Sequence, residues 1–200
     1  MISIRANVLV RAGATMIAAM LLAACAAAPA RSPDTHYELD VSMASVSFGV
    51  TGSMALRRVD IRGLQSGRSL ITIAGESPLR FREERGHFWH VATPTLIERA
   101  FLVTMNDAST DLAFGTPESF DKPDYRLVLT VTRFAYSQGG EAMVNFDATV
   151  TADGGDVILA RSYWGRAPLA GPDPADGVNA LGTALGEAMG VFAGELAGTL

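Results

Sequence analysis

The side chains that could do chemistry are few. The chain holds a single cysteine, Cys25, and three histidines, His36, His87 and His90. One cysteine cannot form an internal disulfide, and no cysteine–histidine cluster has the spacing of a zinc site. His87 and His90 are three residues apart, and on a strand that spacing directs them to opposite faces. We therefore expect no metal site, so the role of Cys25 must come from its position.

The sequence also lacks the usual motifs of catalysis. Ser66 lies in GLQSGRS, which does not have the Gly-x-Ser-x-Gly spacing of a nucleophile elbow. The adjacent Glu83 and Glu84 point to opposite faces of a strand, so they are poorly placed for paired acid–base work. Asp153 and Asp156 flank two glycines, which is typical of a hairpin turn. With no phosphate-binding glycine motif either, the sequence predicts a protein that is not an enzyme and holds no cofactor.

The first 24 residues have the parts of a secretory signal peptide. Arg5 and Arg11 provide the positive region, and an apolar run from Ala12 to Ala24 follows. This run is shorter than the roughly 20 apolar residues that a membrane-spanning helix needs. We therefore expect residues 1–24 to be removed from the mature protein.

Cys25 directly follows this run, and the order Leu22-Ala23-Ala24-Cys25 resembles the lipobox of bacterial lipoproteins. The resemblance implies that the Cys25 sulfur takes a diacylglyceryl group, that cleavage occurs before it, and that the new amino group is acylated. Because each buried CH₂ contributes roughly 0.8 kcal/mol, two or three acyl chains anchor a protein firmly. By resemblance to Gram-negative sorting rules, Ala26 favours the outer membrane, facing the periplasm. The alternative is an ordinary secretory signal with a chance cysteine.

The rest of the chain divides into a tether and one domain. Residues 25–36 hold the lipid site and then small, polar and proline residues, which is typical of a flexible tether. Residues 37–200 are enough for one domain with a real core, and 48% hydrophobic against 18% charged residues describes a folded chain. The net charge of −5 argues against non-specific binding to nucleic acid or to an anionic membrane surface.

The apolar patterns predict an α+β fold. One helix is expected to begin with Thr93 as N-cap, and another covers residues 173–200. A hairpin turn is expected at Arg85–Gly86, and the last three strands should form an antiparallel meander. We therefore expect an antiparallel sheet with two helices packed on one face, as a two-layer sandwich. Strands are expected at residues 37–43, 54–63, 69–75, 79–84, 87–92, 111–116, 125–137, 141–151 and 157–169.

Two tryptophans are candidates for an apolar surface that meets a lipid or a partner protein. Trp89 ends a strand just before the predicted helix, and Trp164 precedes a loop rich in glycine and proline. The alternative is that both are core residues at strand ends, and the pattern favours this alternative for Trp89.

The last helix has a regular glycine pattern. A small residue at every fourth position forms a smooth ridge that another backbone can approach closely. We hypothesise that this ridge contacts a neighbouring protomer or a partner protein; a compositional bias toward glycine is the rival explanation. The glycines of the ridge are Gly182, Gly186, Gly190, Gly194 and Gly198.

The order of these features resembles the ABC-type transport auxiliary lipoproteins. The matching stretches are the lipobox at Cys25, YELDV, LRFREERGHFWHVATP, TLIERAFLVTM, DYRLVLTVTRF and the terminal Ala/Leu-rich helix. The chain departs from the pattern in its second strand, which has no proline-rich segment, and in its glycine-rich last helix.

This resemblance implies an α+β fold and a non-enzymatic role. The partners that it implies are ABC transporter subunits and an MCE (mammalian cell entry) domain protein, which move lipids between the two membranes. A homo-oligomer is a further expectation from the glycine ridge. Two alternatives stay open: a cell-envelope assembly or scaffold lipoprotein with no part in lipid traffic, and a protein that carries the lipid itself.

Overall fold

The strands form where β-branched and aromatic residues cluster or alternate with polar ones. The computed structural model describes residues 33–61, 63–74, 80–138 and 140–200, and residues 34–200 cluster as one compact unit. Short 3₁₀ turns lie at Gly63–Ser66 and Pro117–Ser119. The strands and helices are β1 Thr35–Tyr37, β2 Gly52–Ile61, β3 Ser69–Ala74, β4 Arg80–Trp89, α1 Thr93–Ala108, β5 Leu112–Gly115, β6 Tyr125–Ser137, β7 Glu141–Ala152, β8 Val157–Pro168 and α2 Pro174–Ala197.

The predicted meander of the last three long strands is confirmed. β6 pairs antiparallel with β7, and β7 pairs antiparallel with β8. Alternate residues of β7 are buried, as the sequence pattern requires when only one face of a sheet is covered. The buried set is Ala142, Val144, Phe146, Ala148 and Val150.

The expectation of an antiparallel sheet throughout is wrong, because the sheet is mixed. Four of its seven pairings are parallel: β1 with β4, β2 with β5, β2 with β6, and β3 with β6. Parallel partners need a crossover instead of a tight turn. The chain supplies one between β4 and β5, where α1 carries it across the sheet before β5 pairs with β2.

One edge of β6 serves two successive strands. β2 pairs with the first half of β6, and β3 pairs with its end, at Tyr136 and Ser137. Between β2 and β3 the chain does not pair with β6 but forms a 3₁₀ turn. The Gln65 side chain of this turn is buried. The Gln65 Oε1 accepts a hydrogen bond from the Phe134 N–H at 2.7 Å. A side chain therefore satisfies the backbone donor that the gap between β2 and β3 leaves open.

The predicted hairpin at Arg85–Gly86 is replaced by an irregularity within one strand. β4 runs without a break from Arg80 to Trp89, and its register against β3 shifts between the pairs Ser69–Phe88 and Ile71–Glu83. Gly86 has a φ of +76°, the left-handed conformation that a bulge or a turn can equally require. Gly86 therefore does mark a change in backbone conformation, but the change is a bulge within β4 and not a hairpin turn.

Both helices lie on one face of the sheet, which confirms the two-layer α+β fold. Phe101 of α1 and Phe192 of α2 have ring centroids 5.9 Å apart, and Phe192 also contacts Phe146 of β7 and Tyr163 of β8. The apolar stripe of α2 is buried against this face. Its members are Val178, Leu181, Leu185, Met189, Phe192 and Leu196.

The start of α1 differs in detail from the prediction. Ala92 is the N-cap, and Thr93 is the first helical residue. The Thr93 hydroxyl donates to the Gly67 carbonyl at 2.7 Å, so it ties the helix to the loop before β3 and does not cap the helix. At the other end of the fold, Asp173 caps α2 as its side chain accepts from the Ala175 N–H at 2.8 Å.

Candidate interaction surfaces

The glycine ridge of α2 divides into two halves with different surroundings. A Cβ added at Gly182 would overlap the carbonyl oxygen of Asp40, and one at Gly186 would overlap that of Ser42. Residues 38–45, which we call the crossing segment, therefore lie against the first half of the ridge. Outside the backbone of the helix itself, no atom of the described residues lies within 4 Å of a Cβ added at Gly190 or Gly194.

The crossing segment also contacts α1. The Thr104 hydroxyl donates to the Val41 carbonyl at 3.1 Å. Leu39, Val41 and Met43 are half-buried and pack against the core. The apolar alternation that predicted a strand over 37–43 is thus used for packing on the helical layer, and only Thr35–Tyr37 pairs in the sheet. The sequence pattern alone gave no sign that glycines 182 and 186 would be covered from within the same chain.

Trp89 does not contribute to a surface. Its side chain is 1% exposed, and its ring centroid lies 5.7 Å from that of Phe134. Trp89, the last residue of β4, pairs in register with Tyr37, the last residue of β1. This pairing holds the first strand on the sheet. The prediction of an apolar surface at Trp89 is therefore wrong, because this side chain packs in the core.

Trp164 is a surface aromatic residue. It is 62% exposed and lies on the sheet face that the helices leave uncovered. The guanidinium carbon of Arg166 is 5.7 Å from its ring centroid, within the range of a cation–π contact. Together with Arg133, Met143 and Asn145 these residues line a shallow cavity of 260 Å³. This surface can accept a flat apolar group beside cationic side chains.

His87 and His90 have separate partners, and only His87 lies on β4. The Tyr37 hydroxyl and the His87 Nδ1 are 2.9 Å apart, whereas His90 Nε2 lies 3.7 Å from a carboxylate oxygen of Glu38. In the described part of the chain, no group of three or more His, Cys, Asp or Glu side chains has the geometry to hold a metal ion. We find no set of these side chains arranged as a reacting centre.

Three surface carboxylates, one of them half-buried, hold loops in place. Asp111 accepts hydrogen bonds from the Phe48 N–H at 2.9 Å, from the Ser47 hydroxyl at 2.7 Å and from the Gly49 N–H at 2.9 Å. These bonds, that from Phe48 foremost, lower the pKa of Asp111. The pKa of Asp124 is lowered in the same way by Ser53, and that of Asp153 by Lys122.

Two buried tyrosines have raised pKa values. Burial is the main cause for both Tyr136 and Tyr163, because it disfavours the phenolate. The Tyr163 hydroxyl also donates to Glu195 at 2.9 Å, which stabilises its neutral form further. The Tyr136 hydroxyl is buried and makes no hydrogen bond to the described residues. Both phenols are therefore in their neutral form at neutral pH.

The predicted lipidation site lies outside the described residues. This applies to Cys25 and to the lipobox residues Leu22, Ala23 and Ala24. In the described ranges, neither helix combines the length and the apolar character needed to cross a bilayer.

The family model of the ABC-type transport auxiliary lipoprotein component matches residues 37–190, more than three quarters of the chain. The chain belongs to this family. The match begins at the residue where β1 ends and runs into α2, so it includes the crossing segment, the whole meander and the start of the open half of the ridge. No protein of curated function matches the chain significantly.

Solved structures share the fold of this family member. Protein XCC0632 from Xanthomonas campestris, a DUF330 protein of the same family, is 16% identical with a TM-score of 0.67, and covers 82% of this chain and 96% of its own. An uncharacterized protein is 10% identical with a TM-score of 0.71, over 82% and 99%. The hypothetical protein CT253 from Chlamydia trachomatis is 8% identical with a TM-score of 0.51, over 75% and 98%. At these identities the likeness shows the fold alone.

Proposed function

We propose that the protein is a non-catalytic auxiliary subunit of an ABC/MCE-type lipid transport system between the inner and outer membranes. Cys25 carries the lipid anchor in the outer membrane, residues 26–36 form the tether, and the domain faces the periplasm. The observation that carries the proposal is the family match over residues 37–190, in a chain whose Leu-Ala-Ala-Cys order stands twelve residues before that match begins.

The titratable side chains with shifted pKa values either hold loops or pack in the core. The charged groups with shifted pKa values are loop carboxylates and their partner Lys122, and the shifted phenols pack in the core. A subunit of this kind works through its surfaces. We propose that the exposed Trp164 and the open ridge half at Gly190 and Gly194 contact the MCE-domain protein, the transporter subunits or a second copy of the chain.

The experiment is a detergent pull-down of the tagged full-length protein from its own host, with mass spectrometry. We expect co-purification of an MCE-domain protein and ABC subunits. The variants Trp164→Ser and Gly190→Leu should lower this recovery, whereas Val157→Ser, a matched control at a 60% exposed residue of the same strand as Trp164, should not. Recovery of envelope assembly factors alone, under mild extraction, would favour the scaffold alternative and refute the proposal.

The anchor has a separate test. The variant Cys25→Ser should abolish incorporation of radiolabelled palmitate and release the protein into the periplasm. A sucrose gradient of the wild-type membranes should place the protein with the outer-membrane fraction. Sedimentation with the inner membrane would show that the assignment of the membrane is wrong, while labelling of the Cys25→Ser variant would show that the lipid site is wrong.

A further inference from the structure

The net negative charge of the chain hides an uneven distribution. Residues 54–91, which include β2, β3 and β4, carry seven arginines against four acidic residues. Residues 92–200, which include both helices and the meander, carry six basic residues against fourteen acidic ones. The overall charge argues against uniform attraction to an anionic surface, but it does not exclude attraction through one end of the fold.

Exposed cationic side chains follow one another along β4. Arg80, Arg82 and Arg85 are all exposed, and none of them has a carboxylate of the described residues within ion-pair distance. β1 pairs only with the end of β4, at residues 87–89, so the arginine-bearing part lies on an edge of the sheet in the described fold. The edge thus presents exposed guanidinium groups to the outside.

Acidic residues on the same strand reduce this charge to a net +1. Glu83 and Glu84 lie between Arg82 and Arg85 in the sequence. Glu84 accepts a hydrogen bond at 3.2 Å from Gln138, the residue that follows β6. An apolar group adds to the edge: Phe81 is 38% exposed and pairs in register with Ile73. Arginines beside an exposed phenylalanine suit the boundary between phospholipid headgroups and acyl chains.

The chain from the proposed anchor enters the domain at this same edge. Asp34 immediately precedes β1, and only eight residues separate it from Cys25. Nine chain steps reach at most about 30 Å, so the edge cannot move far from the membrane. At the entry point, Arg68, His36, Ser69 and Phe88 join Asp34 around a cavity of 300 Å³.

We infer that the β1–β4 edge rests on the anionic phospholipid headgroups of the membrane that holds the anchor. The inference depends on the lipidation of Cys25 that the proposed function includes. Guanidinium groups bind phosphate through paired N–H donors, and the acidic helices are repelled from the same surface. β8 lies four strands from β4 in the sheet, so this orientation presents Trp164 to the periplasm, where a protein partner can reach it.

The test uses the lone cysteine. Because lipidation consumes the Cys25 thiol, a cysteine introduced elsewhere in the full-length protein is the only site for an NBD-iodoacetamide label. The probe positions are Phe81→Cys at the proposed contact and Val157→Cys, an exposed position on β8. The labelled proteins are inserted into vesicles of equal parts phosphatidylethanolamine and phosphatidylglycerol that contain a headgroup-nitroxide lipid. We expect severalfold stronger quenching at position 81 than at position 157. Equal quenching at the two positions would overturn the inference.

The charge dependence gives a second readout. Each arginine near an anionic surface strengthens the contact about fivefold, so Arg80→Ser, Arg82→Ser and Arg85→Ser together should reduce quenching at position 81 to that at position 157. Arg99→Ser, which changes an exposed arginine of α1, is the single-charge control and should match the wild type, while Arg82→Ser alone should fall below it. Replacement of phosphatidylglycerol by phosphatidylcholine should weaken the contact as the arginine variants do; a contact that survives both changes would refute the electrostatic argument.

The same samples separate the two proposals. If wild-type protein takes up the NBD label, the Cys25 thiol is free and the lipid anchor of the proposed function fails. If wild-type protein stays unlabelled and the two probes quench equally, the anchor stands and only the orientation fails. Circular dichroism melts of each variant show that its domain is folded before the quenching is interpreted.

Discussion

Replacing Gly186 or Gly190 by alanine should change the stability of the domain in opposite directions. Both positions lie inside α2, where alanine is favoured over glycine by about 1 kcal/mol. At Gly190 the new methyl group meets no atom of another described element within 4 Å, so the free energy of unfolding should rise by about that amount. For a domain of this size the melting temperature should rise by roughly 2–4 °C.

At Gly186 the methyl group would overlap the Ser42 carbonyl, which is backbone and cannot rotate away. The crossing segment must then move off the helix. Overpacking of this kind costs about 1–3 kcal/mol, and loss of the Thr104–Val41 hydrogen bond adds about 1 kcal/mol. After the gain in helix propensity, the free energy of unfolding should fall by about 1–3 kcal/mol.

Urea denaturation followed by circular dichroism measures both changes. The variant Thr104→Val tests the assigned cause, because it removes the hydroxyl that holds the crossing segment. Its cost should be smaller in the Gly186→Ala background than in the wild type, where the segment is still in place. If Gly186→Ala is as stable as Gly190→Ala, the crossing segment does not lie on the ridge and the reasoning is refuted.

Three further predictions concern the aromatic and acidic side chains. In single-tryptophan variants, iodide should quench the fluorescence of Trp164 strongly and that of Trp89 hardly at all, and equal quenching would contradict the assigned burial. At pH 10, the 295 nm absorbance should show Tyr136 and Tyr163 still protonated; since their pKa values are raised, stability should fall as the pH rises above 10. The lowered pKa of Asp111 predicts the reverse: its contribution is present above about pH 4 and is lost on acidification, so Asp111→Asn should flatten the acid limb of a stability–pH curve.

The parts of the fold that the sequence predicted well are those with one unbroken periodicity. β7 alternates over its whole length, and α2 repeats its apolar residues at spacings of three and four, so both the element and its buried face could be predicted. The strand partners could not. A pattern of period two states which face is buried, but it does not state whether the neighbour runs parallel or antiparallel, so the parallel pairing of β2 with β6 was missed.

Two local signals were ambiguous for physical reasons. Leu39, Val41 and Met43 alternate as a strand does, yet any extended segment with one buried side gives that pattern, including one that packs on helices. Gly86 needs a positive φ, and a hairpin turn and a bulge both supply one. Neither ambiguity could be resolved without knowing which surface lay opposite.

The two halves of the glycine ridge differ in what the glycines achieve. Each glycine costs α2 about 1 kcal/mol relative to alanine. At Gly182 and Gly186 that cost is offset, because the crossing segment can approach only a helix surface without side chains. At Gly190 and Gly194 the described fold shows no such gain. A compositional bias is a weak explanation here, since alanine codons are as rich in G and C as glycine codons and alanine is already abundant in this helix. We propose that a backbone from another molecule approaches the open half of the ridge, and Gly190→Leu is designed to block that contact.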